Sequence, residues 1–127
     1  MDADDDKGRK PALELACPAD VRERLEVIKR AYKAVSGKWK TEILCLLSLC
    51  PMRFNEIKRS IPGITQHMLS AQLRALENAG LVIRRVYQET PQRVEYEMSE
   101  SGRALRPVTD AVYQWALRYV PAALQDS

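Results

Sequence analysis

The sequence predicts a mainly α-helical domain with one small β-hairpin, an α+β fold, and three observations carry that expectation. Apolar residues recur at helical spacing through most of the chain. The period shortens to two where Val94, Tyr96 and Met98 alternate with Glu95 and Glu97. Gly and Pro stand where one segment gives way to the next, at Gly37, Pro51, Pro62-Gly63, Gly80 and Pro91.

The first helix is expected to start at Asp20, which with Glu23 makes a capping-box pattern: the carboxylate accepts a free backbone N–H while Glu reaches back. Val21, Leu25, Ile28, Tyr32 and Val35 follow at spacings of 4, 3, 4 and 3, a heptad-like stripe, and Ser36-Gly37 stops it. Residues 38–49 are apolar on every side, with Trp39, Ile43, Leu44, Cys45, Leu46, Leu47 and Leu49, which predicts a central buried helix ended by Pro51. Cys45 and Cys50 are then expected to be inert, buried thiols. A short helix over residues 54–60 places Phe54, Ile57 and Ile61 at i, i+3 and i+7, and the turn Ile61-Pro62-Gly63-Ile64 follows. Thr65 is a good N-cap for a helix over residues 65–79, with Leu69, Leu73 and Leu76 as its inner stripe and Gly80 as its stop. Two strands joined across Gln88 to Gln92 make the hairpin, over residues 82–98. A last helix begins near Ser99 or, because Pro107 interrupts its early turns, somewhat later, and carries Leu105, Val108, Val112, Trp115 and Tyr119 at spacings of 3, 4, 3 and 4.

Composition bounds the class. A chain of 127 residues with 46% apolar and 29% charged side chains is sized and mixed like one globular domain. The longest apolar run, residues 43–49 with only Ser48 breaking it, is far short of the roughly 20 needed to span a bilayer, so no membrane partner is expected. The expected organisation is a flexible acidic leader over residues 1–16, one domain over 17–124 and a tail over 125–127. Three Cys without a secretory signal read as cytoplasmic thiols, not as a disulfide framework. The net charge of +3 conceals a polarity: residues 36–93 hold nine Lys or Arg against four Asp or Glu, a local +5. Polyanion binding is compatible with that excess.

Helix, helix, short helix, Gly-containing turn, helix and hairpin is the order of a winged helix-turn-helix. The turn matters because a short Gly-containing link lets the second helix leave steeply and enter a major groove about 12 Å wide. The residues themselves also resemble a known family. Gly37-Lys38-Trp39-Lys40, Arg53-Phe54-Asn55-Glu56-Ile57, Ile61-Pro62-Gly63-Ile64-Thr65, Leu73-Arg74-Ala75-Leu76-Glu77, Gly80-Leu81-Val82, Arg93-Val94-Glu95-Tyr96 and Trp115-Ala116 occur in the order of the HxlR-type transcriptional regulators of bacteria and archaea. The resemblance runs over roughly residues 37–116 and implies a cytoplasmic, nucleoid-associated dimer that represses or activates transcription. Members of that family often carry a Cys-Pro pair before Gly-Lys-Trp, and in some the thiol senses oxidants or electrophiles. Here Cys17-Pro18 lies 20 residues before Gly37, farther than the family pattern has it.

With Leu69, Leu73 and Leu76 inward, the turn of about 100° per residue puts His67, Ser70, Ala71 and Arg74 on the opposite face of the helix. Thr65 and Gln66 join them at its N-terminus, the end that meets base edges. Gln66 suits an adenine edge, Ala71 a thymine methyl, and Arg74 guanine or phosphate. In the hairpin, a tip at Thr90-Pro91 sets Arg84 opposite Glu97 and leaves Gln92 and Arg93 free for a groove or the backbone. Lys38, Lys40, Arg53, Asn55 and Lys58 are candidate phosphate anchors. The expected partner is double-stranded DNA, read as a pseudo-palindrome by a homodimer whose interface holds Leu25, Tyr32, Leu105, Trp115 and Tyr119. The resemblance supports the same terminal helices, and a small-molecule or oxidant effector, with Cys17 near a helix N-terminus as the candidate sensor. His67 is the sole histidine and no cysteine pair has ligand spacing, so no metal is expected, and with neither a Gly-rich phosphate loop nor a nucleophile set beside a base no cofactor or enzymatic activity is expected. An alternative is a winged helix serving as a protein-interaction module, which would need an apolar outward face on the fourth helix.

Overall fold

A computed structural model describes residues 19–124. The chain divides into two units, Met1–Ser36 and Gly37–Ser127. The described part of the first is one helix, α1 (Ala19–Val35). It begins a residue before Asp20, so Asp20 lies inside the first turn, where a carboxylate complements the helix dipole, and does not cap from outside as the sequence pattern suggested. The N–H of Ser36 donates to the Tyr32 carbonyl at 2.8 Å and closes its last turn. None of its residues is buried.

The second unit holds α2 (Lys40–Leu47), α3 (Phe54–Ser60), α4 (Gln66–Asn78), β1 (Val82–Tyr87), β2 (Arg93–Met98), α5 (Glu100–Arg103) and α6 (Arg106–Tyr119). Its core gathers Ile43 and Leu47 from α2, Ile57 from α3, Ile61 and Ile64 from the turn, Leu69, Leu73 and Leu76 from α4, and Leu81, Val82 and Met98 from the base of the hairpin. α2 is shorter and more one-sided than its composition implies: Ile43 and Leu47 are buried, whereas Cys45, Leu49 and Cys50 are exposed. A domain this size covers only one face of the helix, and residues four apart share that face. Both thiols therefore stand at the surface and not in the core.

The strands pair antiparallel with Val82 opposite Met98 and Tyr87 opposite Arg93. A third segment joins them through Met52, whose N–H donates to the Tyr96 carbonyl at 2.9 Å and whose carbonyl accepts from the Tyr96 N–H at 2.8 Å. The single bridge ties the segment between α2 and α3 to the hairpin.

The last helical region breaks at Ala104-Leu105, just ahead of Pro107, so the regular helix begins later than Ser99, as its sequence suggested. α5 is a single turn capped by Ser99, whose hydroxyl accepts from the Gly102 N–H at 3.0 Å and donates to the Gly80 carbonyl at 2.6 Å. Gly102 packs so closely there that a Cβ would stand 2.3 Å from the Leu81 carbonyl oxygen. α6 then starts afresh with Pro in its first turn, where the missing N–H breaks no helical hydrogen bond.

Candidate nucleic-acid interface

The helix-turn-helix is built from α3, the turn and α4. Ile61 and Ile64 are both 4% exposed, so the reversal between the helices is anchored in the core from either side while Pro62 and Gly63 remain outside. Gly63 has φ +85°, a conformation that disfavours any side chain, and Cη2 of Trp39 lies 3.8 Å from where its Cβ would be. Trp39 thereby links the residues that precede α2 to the turn. Its own φ is 79°, its indole Nε1 is buried without a hydrogen-bond partner among the described residues, and the Lys38 ammonium sits 5.1 Å from the ring centroid.

α4 is fixed at both ends. Thr65 caps it, Oγ1 accepting from the Met68 N–H at 3.0 Å. At the other end Gly80 N–H donates to the Glu77 carbonyl and Leu81 N–H to that of Leu76, each at 3.0 Å, a Schellman closure that leads straight into the hairpin. Leu69, Leu73 and Leu76 are at most 1% exposed. Thr65, Gln66, His67, Ser70, Ala71 and Arg74 are all exposed, which gives one polar, solvent-facing surface along the N-terminal two-thirds of the helix. The apolar outward face that a protein-interaction module would use is not present on α4.

Among the expected phosphate anchors, Lys38, Arg53, Asn55 and Lys58 are exposed and Lys40 is half-buried. Arg53 stands immediately before α3, where its backbone N–H donates to Glu56 Oε1 at 2.8 Å, so Glu56 holds the start of the helix while Arg53 itself stays exposed.

The hairpin departs from the sequence reading. Its register places Ile83, and not Arg84, opposite Glu97. Arg85, diagonal to Glu97 on the same face, takes the ion pair, and Arg84 points to the other face, exposed and with no ionic partner among the described residues. Arg93 is also not free. Its Nε and one terminal nitrogen donate to Glu89 Oε2 at 3.0 and 2.8 Å, the other terminal nitrogen donates to Glu95 Oε2 at 2.8 Å, and Tyr87 stacks 3.8 Å from it. The hydrogen bond to Glu97 raises the Arg85 pKa above its ordinary value, and that to Glu89 does the same for Arg93. Gln92 remains exposed beside the loop.

α6 contributes nothing buried: Val108, Val112, Trp115 and Tyr119 are each more than half exposed. Leu105, just before it, is half-buried. In α1, Tyr32 is 66% exposed and Leu25 half-buried. Cys17 lies outside the described residues. Among them, no cluster of three or more His, Cys, Asp or Glu could hold a metal ion, and no helix is long and apolar enough to cross a membrane.

Comparison with known proteins agrees with this architecture. The family model for the HxlR-like helix-turn-helix matches residues 34–123. An HTH-type transcriptional regulator of Methanothermobacter thermautotrophicus is 45% identical over 97 residues, 76% of this chain and 74% of the relative. The reduced form of the transcriptional regulator YodB from Bacillus subtilis superposes with a TM-score of 0.71 at 34% identity, covering 76% of this chain and 94% of that one. The redox regulator HypR in its reduced form gives 0.66 at 38% identity, covering 72% of this chain and 90% of that one. With so much of the chain matched, the protein belongs to the HxlR-like helix-turn-helix family and is a transcriptional regulator of that type.

Proposed function

We propose that the protein binds double-stranded DNA sequence-specifically, as a homodimer on a pseudo-palindromic operator. The observation that carries this reading is the exposed polar face of α4, Thr65 to Arg74, on a helix capped by Thr65 and buried along its other side through Leu69, Leu73 and Leu76. Gln66, His67, Ser70, Ala71 and Arg74 meet base edges in the major groove, Lys38, Lys40, Arg53, Asn55 and Lys58 meet phosphates, and Gln92 with Arg84 serves the wing. The exposed apolar stripe of α6, with Leu105, and that of α1 through Leu25 and Tyr32, pair with a second copy. Two recognition helices then stand roughly 34 Å apart.

Binding to fragmented genomic duplex is expected to weaken steeply with salt, log K falling by about 0.9 per log unit of salt for every phosphate neutralised. Affinity indifferent to salt would overturn the reading. Arg74→Ala should weaken a selected operator by about 1–3 kcal/mol while leaving non-operator binding nearly unchanged; an equal loss on both would assign Arg74 to phosphate.

Similarity to HypR, a redox regulator by name, supports control by an oxidant or electrophile, with Cys17 as the sensing thiol. Cys17→Ser should then abolish release of the operator by the oxidant diamide. Unaltered release would remove Cys17 from that role.

A further inference from the structure

The charges of the hairpin cancel. Between residues 82 and 98, Arg84, Arg85 and Arg93 are opposed by Glu89, Glu95 and Glu97. The register gathers Arg85, Tyr87, Arg93, Glu95 and Glu97 on one face of the two strands, and Glu89 reaches that face from the loop to Arg93. There Glu97 takes Arg85, while Glu89 and Glu95 between them hold three nitrogens of Arg93 with Tyr87 against its plane. Arg84, on the opposite face, has no such carboxylate among the described residues.

The Arg85–Glu97 and Arg93–Glu89 pairs, each with one partner open to solvent, return little stability, so hairpin folding alone gives weak reason for all three acids here. Their electrostatic consequence is larger. A guanidinium whose charge is already balanced by a carboxylate, through three nitrogens in Arg93 and through Nε alone in Arg85, releases few counterions when it approaches a phosphate. It therefore adds little to sequence-independent affinity, which is the background an operator must exceed. A wing with all three arginines free would grip any duplex.

We infer that Glu89, Glu95 and Glu97 are specificity-determining residues that withhold Arg85 and Arg93 from DNA phosphates and leave Arg84 as the uncompensated guanidinium of the wing. The inference rests on the DNA-binding reading above. It identifies acids, not bases, as the wing residues that set the margin between operator and bulk DNA.

The test measures binding of the full chain to a fluorescent duplex of random sequence across a salt series, for wild type, Glu97→Gln, the Glu89→Gln/Glu95→Gln pair, and Glu26→Gln. Glu26 is exposed on α1, so its variant controls for one unit of net charge away from the hairpin, the change made by Glu97→Gln and half that made by the pair. Each wing variant is expected to tighten random-duplex binding about three- to tenfold near physiological salt and to steepen the salt slope by about 0.9 for the arginine it frees. Glu26→Gln should keep the wild-type slope. Misfolding cannot imitate this result, because it would weaken binding. Wing variants that keep the wild-type slope, or that shift no more than Glu26→Gln, overturn the inference while leaving DNA binding intact. A wild-type protein that binds no duplex at any salt overturns both.

Discussion

Trp115→Asp is expected to leave the protein monomeric and to weaken its hold on a two-half-site operator by about 100-fold or more, the scale lost when two linked contacts become independent. Trp115 is 58% exposed, and with Val108, Val112 and Tyr119 it forms a stripe at spacings of 4, 3 and 4 along α6. The helix is about 21 Å long and buries none of that stripe within its own chain. Contiguous apolar surface of this kind marks an interaction site, and an isologous pair of such helices covers itself. An aspartate in the middle would carry an unpaired charge into the contact, costing far more than the lost ring alone. Sedimentation velocity reads the mass and operator titration the affinity. A dimeric Trp115→Asp protein would show that the α6 stripe is not the interface.

Leu73→Ala should destabilise the fold by about 2–5 kcal/mol, a large part of what holds an ordinary domain together. Leu73 is 1% exposed at the middle of the inner face of α4. Removing its branched end leaves a cavity lined by side chains that are themselves fixed in the core. Denaturant unfolding at one fixed protomer concentration gives the difference, since a dimer's apparent stability moves with concentration. A loss well under 1 kcal/mol would show that the core collapses around the smaller residue. Leu73 and Arg74 are chain neighbours with opposite expected readouts: truncating the first changes stability, truncating the second changes operator affinity with stability nearly constant. That contrast follows from the turn of about 100° between them, which sets one in the core and the other in solvent.

The same short-range geometry explains why α4 was legible in the sequence. Thr65, the inner leucines and Gly80 each act within a turn or two of chain, so spacing fixes both the ends of the helix and its two faces. The interruption just ahead of Pro107 was legible for a similar local reason. The N-terminal cap was less so, because Asp20-Glu23 satisfies the capping pattern while the helix already begins at Ala19. Met52 left no signal at all: one bridging residue has no period, and its partner Tyr96 is far along the chain.

By itself the sequence determined the order of elements, the polar face of α4 and the family, since those rest on local spacing and on motifs in a fixed order. Tertiary structure decided which side of α2 the core covers, so Cys45 and Leu49 lie outside although their surroundings in sequence are as apolar as those of Ile43. It also decided the hairpin register. Side chains alternate with a period of two, so a pairing one residue away from the expected one exchanged the roles of Arg84 and Arg85 and moved the carboxylate partner from one face to the other. A loop of five residues between Tyr87 and Arg93 fits either pairing on composition alone; the choice comes from burying Val82 and Met98 together at the base of the wing, a contact that exists only once the helices beneath are in place.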